Sequence, residues 1–287
     1  MVEPRYPNFF LVGAPRSGTT AFYSLLKQHP DVHLAILKEP HFFGTDLTIQ
    51  PHTIRENDLY LGLFADAGDR RCVGEGSVWY LTSKLAAREI RERSPEARIL
   101  VILREPDKMA YSLYGLYRRT GNEDLPTFAE ALAAEDERRE GRRIPEKAYF
   151  PEGLRYVEAA LAADKLERFF TELGRERVRV VLYEDFRRDN LKVYREVLEF
   201  LDLDPEFVPE LDPARAADRI REIAIPQLRR TDPRVRSRMN RQAPKQHAGG
   251  ERDPMPAEIR ARLRETFRPE VARLGEVLGR DLSHWSA

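Results

Sequence analysis

Short apolar runs alternate along the chain with longer stretches in which apolar residues recur at helical spacing. Phe9 to Gly13, "FFLVG", is uncharged throughout, and Arg98 to Leu103, "RILVIL", is nearly all apolar. Val178 to Leu182, "VRVVL", reads the same way, and Cys72 to Gly74 is a fainter case. Runs without polar alternation are expected of parallel strands covered by helices on both faces. Helical spacing predicts helices from the end of the first loop to about His29, then over 83–93, 106–120, 127–140, 154–173, 191–201 and 256–278. This βα alternation predicts an α/β fold of three layers, α/β/α, around a central and mostly parallel sheet. No internal repeat is visible.

Composition narrows the picture. A chain of 287 residues with 41% hydrophobic positions suffices for one large α/β domain, and a single domain over 1–287 is expected. The 48 basic and 48 acidic residues cancel, so no global field draws the protein to nucleic acid or to an anionic membrane. Any anion site must be local. The single cysteine, Cys72, excludes an intramolecular disulfide and reads as a small apolar strand residue. No run approaches the ~20 apolar residues of a membrane span, and the first strand begins too early to leave room for a signal peptide. A soluble, cytoplasmic protein is the expectation. One segment, about 208–254, stands apart: no aromatic residue occurs from Val208 to Thr266, while arginine, proline and glycine are concentrated around "RRTDPRVRSRMNRQAPKQHAGGERDP". It reads either as a solvated loop or as a basic lid over an anionic ligand. Binding of single-stranded nucleic acid is disfavoured because aromatic stacking platforms are missing.

The candidate chemistry begins where the first strand ends. Gly13 to Thr20, "GAPRSGTT", nearly matches a nucleotide-binding phosphate loop, which makes the fold class that of P-loop-containing nucleotide hydrolase-like proteins. Glycines and small hydroxyl residues let backbone N–H groups converge on an anion at a helix N-terminus. The loop lacks the lysine that reaches a triphosphate: Thr19 takes its place, and Arg16 stands two residues before Gly18. Kinases also need a magnesium-binding acid at the end of another core strand, whereas "RILVIL" ends in Arg104. Ser112 follows Arg104 by eight residues, about two turns into a helix opened by Pro106. Two phosphate sites are implied, at Arg16 to Thr20 and at Arg104 with Ser112, which suits a nucleotide phosphorylated at both ends better than a linear triphosphate.

The combination of "PRSGTT" after the first strand, "ILREP" with its following serine, and "KEPHFF" after the first helix resembles the sulfotransferases that use 3′-phosphoadenosine 5′-phosphosulfate, PAPS. The closest likeness in motif is to the carbohydrate and heparan-type enzymes and to soluble bacterial members, whose closing segment "LGRDLSHW" resembles. The resemblance implies a PAPS donor with 3′,5′-adenosine bisphosphate as product and no metal. It places the 5′-phosphosulfate on Arg16, Ser17, Gly18, Thr19 and Thr20, and the 3′-phosphate on Arg104 and Ser112. The late basic–glycine segment of the family is absent in its "RKGxxG" form; Arg241, Lys245, Gly249 and Gly250 are the candidates for its role.

Sulfuryl transfer needs a base for the acceptor hydroxyl and a cation for the leaving oxygen. "LKEPHFF" offers Glu39 and His41, which would share a face if extended, Pro40 arguing against a helix. The resemblance to carbohydrate sulfotransferases makes Glu39 the base and His41 its neighbour, with His41 as the base still open. Alone, Lys38 and Glu39 would read as a surface ion pair, and His41, Phe42 and Phe43 as cover for the sheet edge. In "GEGSVWYL", Glu75, Ser77, Trp79 and Tyr80 either shape a ligand pocket or pack in the core. Tyr111, Tyr114 and Tyr117 read as packing, and Glu184 with Asp185 as a helix cap rather than a magnesium site. The expected acceptor is a small molecule or a carbohydrate, through a hydroxyl or an amine. Two other classes stay open: a kinase-like phosphotransferase using ATP and magnesium, and a nucleotide-binding module without catalysis.

Overall fold

A computed structural model describes residues 5–49, 53–242 and 254–287. The described residues fall into two compact units, one within 1–46, 52–103 and 169–243, the other within 47–51, 104–168 and 244–287. In chain order the elements are β1 (Phe9–Gly13), α1 (Thr19–Leu26), β2 (Val32–Leu34), α2 (Asn57–Gly62), β3 (Cys72–Gly76), α3 (Ala86–Arg93) and β4 (Arg98–Leu103). Next come α4 (Pro106–Thr120), α5 (Phe128–Ala133), α6 (Glu135–Arg139), α7 (Tyr156–Ala160), α8 (Ala163–Leu173) and β5 (Val178–Leu182). The last are α9 (Tyr183–Arg188), α10 (Asn190–Phe200), α11 (Pro213–Arg230), α12 (Pro233–Gln242) and α13 (Ala257–Leu278). No described helix is long and apolar enough to cross a membrane.

The first unit carries the sheet, in the order β2-β3-β1-β4-β5, with every pairing parallel. All five residues of β1 and β3 are buried, as strands covered on both faces must be. The connection from β1 to β2 runs toward one edge and that from β3 to β4 toward the other; right-handed crossovers therefore put α1 and α3 on opposite faces, the three-layer arrangement. Leu11, Leu100, Ile102 and Val181 on one face pack with Phe22 of α1 and Tyr194, Val197 and Leu198 of α10. Cys72 is buried within this same core, and burial pushes its thiol up to about 12, in keeping with an apolar strand residue.

The second unit is helical among its described residues. Pro106 opens α4 at its first turn and Gly121, at φ 74°, closes it in the left-handed conformation. Thr127 and Glu130 form a reciprocal capping box on α5. Arg138 and Glu123, neither exposed, pair at 2.8 Å. Glu123 also accepts hydrogen bonds from the Tyr156 hydroxyl and the Leu125 N–H, and Arg138 donates to the Leu154 carbonyl.

Several elements differ from the sequence-based expectation. The three residues of β2 are too few to stand out as an apolar run. The helix expected over 127–140 divides at Ala134 into α5 and α6. The one expected over 154–173 breaks before α8, where the Glu270 carboxylate, distant in sequence, accepts from the Ala162 and Ala163 N–H groups at 2.5 and 2.8 Å. Much of the arginine-rich segment is helical rather than a loop: Asp212 caps α11 by accepting from Arg215 N–H, and α12 follows.

Candidate active site

At the carboxyl end of β1 the chain turns into the loop that opens α1. Ala14 N–H donates to the Ile102 carbonyl of β4 at 2.7 Å, tying the start of the loop to the sheet. Arg16 and Gly18 both take left-handed backbone, at φ 61° and 85°. For Arg16 this is a conformation L-residues avoid, and such strain persists where surrounding structure enforces it. Gly18 has a second constraint, because a Cβ there would lie 2.7 Å from the Tyr183 ring. Ser17 is fully buried, Thr19 nearly so, Arg16 half-buried and Thr20 exposed. The first turn of α1 carries no acidic residue and no side chain caps it, so its N–H groups and dipole offer the field an anion requires.

The "KEPHFF" segment hangs on the neighbouring strand. Glu39 N–H donates to the Gly76 carbonyl at the carboxyl end of β3 (2.8 Å), and Gly76 pairs with Leu11 of β1. Glu39 and the phosphate loop thus sit at the same edge of adjacent parallel strands, whose spacing is about 4.8 Å. The backbone is not extended, as the sequence suggested: Glu39 and His41 both take positive φ, 62° and 50°, on either side of Pro40. Their side chains nonetheless meet, His41 Nε2 lying 3.4 Å from Glu39 Oε2. Lys38 Nζ is 2.9 Å from the other carboxylate oxygen. Partial burial alone would raise the pKa of Glu39; the Lys38 ammonium and the His41 imidazole outweigh it and hold the carboxyl well below the usual carboxylate range. Glu39 remains 31% exposed while His41 is only 3% exposed, so the carboxylate is the member of the pair that an acceptor can reach. His41 Nδ1 is buried and has no hydrogen-bond partner among the described residues.

Beneath this segment lies a buried carboxylate. Glu75, not exposed at all, accepts hydrogen bonds from Ser77 (2.7 Å), Tyr80 (2.7 Å) and Tyr60 (3.2 Å). Burial pushes its pKa up to about 7 against the opposing pull of these hydroxyls and of Lys38. Trp79 is 1% exposed, which leaves it core packing rather than a stacking face for adenine. On the carbonyl side, Arg55 donates to the carbonyls of His41 (2.9 Å) and Phe42 (2.6 Å). In the sequence Glu75, Ser77 and Tyr80 stand out without a link to "KEPHFF", Lys38 reads mainly as half of a surface ion pair, and Tyr60 and Arg55 do not stand out at all. The pairing of Lys38 with Glu39 was visible as adjacent opposite charges; Tyr60 and Arg55 carried no signal, since only folding brings them to residues more than ten positions away.

Arg104 follows β4 directly and is half-buried; Ser112, 3% exposed, lies on α4 in the same helical unit. Also on α4, Asp107 is raised above the usual aspartate value, first by burial, with Arg264 Nε at 3.8 Å opposing. Glu184 and Asp185 lie in the first turn of α9, where Asp185 pairs with Arg188 at 2.6 Å; the cap of the helix after it comes from Asp189. The side chain of Arg241, and Lys245, Gly249 and Gly250 entirely, lie outside the described residues.

A parallel sheet whose first strand opens into a loop of phosphate-loop type at the start of a helix, with helices on both faces, is a three-layer, phosphate-loop-like fold. The sulfotransferase domain family matches residues 6–275, and the chain belongs to that family. It is 34% identical over 131 residues to heparan sulfate glucosamine 3-O-sulfotransferase 6 of Mus musculus, covering 45% of this chain and 35% of that protein. Carbohydrate sulfotransferase 15 of Rattus norvegicus is 24% identical over 258 residues, covering 69% of this chain and 44% of the relative. The chain thus spans less than half the length of these curated relatives. A sulfotransferase from Alicyclobacillus acidocaldarius has the same fold, with a TM-score of 0.78 and 31% identity over 98% of this chain and 99% of that one.

Proposed function

We propose that the protein transfers a sulfuryl group from PAPS to a hydroxyl or amine of a carbohydrate or small-molecule acceptor, with Glu39 as general base. The observation that carries this reading is the Glu39 carboxylate: ionised, partly exposed, flanked by Lys38 and His41, and held at the end of the strand beside the one that opens the phosphate loop. The names of the two curated relatives point to heparan sulfate glucosamine and to carbohydrate, which favours a sugar acceptor.

The loop fits such a donor. A phosphosulfate carries one phosphate and one sulfuryl group, less negative charge than a triphosphate, so Arg16 and the uncapped N-terminus of α1 suffice to hold it. In this reading Ser17, Gly18, Thr19 and Thr20 complete the 5′ site. Arg104 and Ser112 take the 3′-phosphate, joined by Arg241 and Lys245. When bound, PAPS supplies the sulfuryl group. Glu39 accepts the proton of the acceptor hydroxyl as that oxygen bonds to sulfur, and Arg16 steadies the charge left on the departing phosphate oxygen. His41, at 3.4 Å, keeps the carboxylate oriented toward the acceptor.

Labelled PAPS offered with a panel of oligosaccharides, phenols and amines tests the reaction class. Transfer of label that continues in the presence of a chelator is the expected result. Phosphorylation of the same acceptors by ATP, abolished by the chelator, would favour a kinase instead, and bisphosphate binding with no acceptor ever modified would leave only a binding module.

A further inference from the structure

Every hydroxyl that hydrogen-bonds Glu75 also touches the "KEPHFF" segment. Ser77 Oγ donates to Glu75 Oε2 at 2.7 Å and accepts from the His41 N–H at 3.1 Å. Tyr80 does the same on the other oxygen, donating at 2.7 Å and accepting from the Phe43 N–H at 3.1 Å. The Tyr60 hydroxyl approaches Glu75 at 3.2 Å while its ring lies flat on Phe42, with centroids 4.0 Å apart and planes 8° apart. A serine or tyrosine hydroxyl has one proton and rotates to suit its neighbours. With that proton committed to a carboxylate, the oxygen lone pairs are left to receive a backbone N–H, so one buried acceptor sets the polarity of both relays. Left-handed backbone at Glu39 and His41 is a conformation L-residues avoid, and it must be enforced from outside.

We propose that Glu75 is a positioning residue of the transfer site: through the Ser77 and Tyr80 hydroxyls it anchors the His41 and Phe43 N–H groups, holds Glu39 and His41 in left-handed backbone on either side of Pro40 and keeps the Glu39 carboxylate aimed at the acceptor. The inference rests on the reading of Glu39 as the base. Glu75→Gln keeps the shape but offers one accepting oxygen and one NH2, so one relay loses the acceptor for its hydroxyl proton. Tyr80→Phe or Ser77→Ala removes one relay and leaves the carboxylate in place.

The test has two readouts on Glu75→Gln, with Ser77→Ala and Tyr80→Phe as alternatives should the first variant fail to fold. Amide hydrogen exchange of the peptide spanning 37–44 is expected to quicken, while affinity for 3′,5′-adenosine bisphosphate is unchanged. Turnover is expected to fall roughly 10- to 100-fold, the scale of a misplaced catalytic group. In a Glu39→Gln background the same substitution should cost nothing further, because its effect passes through the base. Wild-type exchange at 37–44 would overturn the proposal, as would an equal loss of turnover in both backgrounds. If Glu39→Gln itself is fully active, the reading of the base falls, and the exchange result alone decides whether Glu75 holds the segment.

Discussion

At the scale of single residues, the site places opposite demands on two carboxylates. Glu39 is partly exposed and flanked by the Lys38 ammonium and the His41 imidazole, Glu75 is sealed and surrounded by hydroxyls, and their pKa values move in opposite directions. A base must be ionised to act, so with Glu39 as the proposed base the activity is expected to be lost only as pH falls through its depressed pKa. Removing one cation with Lys38→Met should bring that value back toward the ordinary range, and the acid limb of kcat/KM is expected to move to higher pH. An unmoved limb would show that Lys38 does not tune the base. Glu75 has the reverse sign. Its folded pKa, about 7, lies above the ordinary 4.5, so the native state binds the extra proton between those values. The stabilisation from that proton is fully present below pH 4.5 and lost as pH rises through 7, about 3 kcal/mol in total. Denaturant melts at pH 4.5 and 7.5 should show the wild type losing this amount relative to Glu75→Gln; equal losses in both would mean that Glu75 is ionised throughout.

At the scale of elements, the turns carry as much of the site as the strands. Gly18→Ala would force a Cβ against the Tyr183 ring at 2.7 Å and place an L-residue at φ 85°, and a destabilisation of about 1–3 kcal/mol is expected in the denaturation midpoint. In the helical unit, Arg138→Ala leaves Glu123 buried without its ion-pair partner, at a cost of about 3–5 kcal/mol. The long apolar strands and α4 were legible in the sequence because burial on both faces and a proline-to-glycine span leave plain signatures. The breaks between α5 and α6 and before α8 were not, since the second depends on Glu270 arriving from a distant part of the chain. The juxtaposition of Glu39 and His41 could be anticipated from their spacing, but for a mistaken reason: they meet through two left-handed residues and not along an extended strand. The polar network under them was invisible because Tyr60, Glu75 and "KEPHFF" are joined only by the sheet and its loops.

At the scale of the whole molecule, net charge is zero and offers no pull on an anionic nucleotide. Recognition must then come from local contacts, and the two ends of the donor should be separable by mutation. Arg104→Ala is expected to weaken binding of 3′,5′-adenosine bisphosphate by roughly 1.5–3 kcal/mol, the worth of a charge-assisted contact, and to leave adenosine 5′-phosphosulfate almost unaffected. Equal losses for both would remove Arg104 from the 3′ site. The central claim is that Glu39 accepts the acceptor's proton, and the most direct measurement is label transfer from PAPS by Glu39→Gln, with bisphosphate affinity followed in the same preparation. The side chain keeps its size and loses its basicity, so turnover should fall roughly 10²- to 10⁴-fold while the bisphosphate binds as before. Near-normal turnover in Glu39→Gln, together with its loss in His41→Ala while the bisphosphate still binds, would contradict the account and move the base to His41.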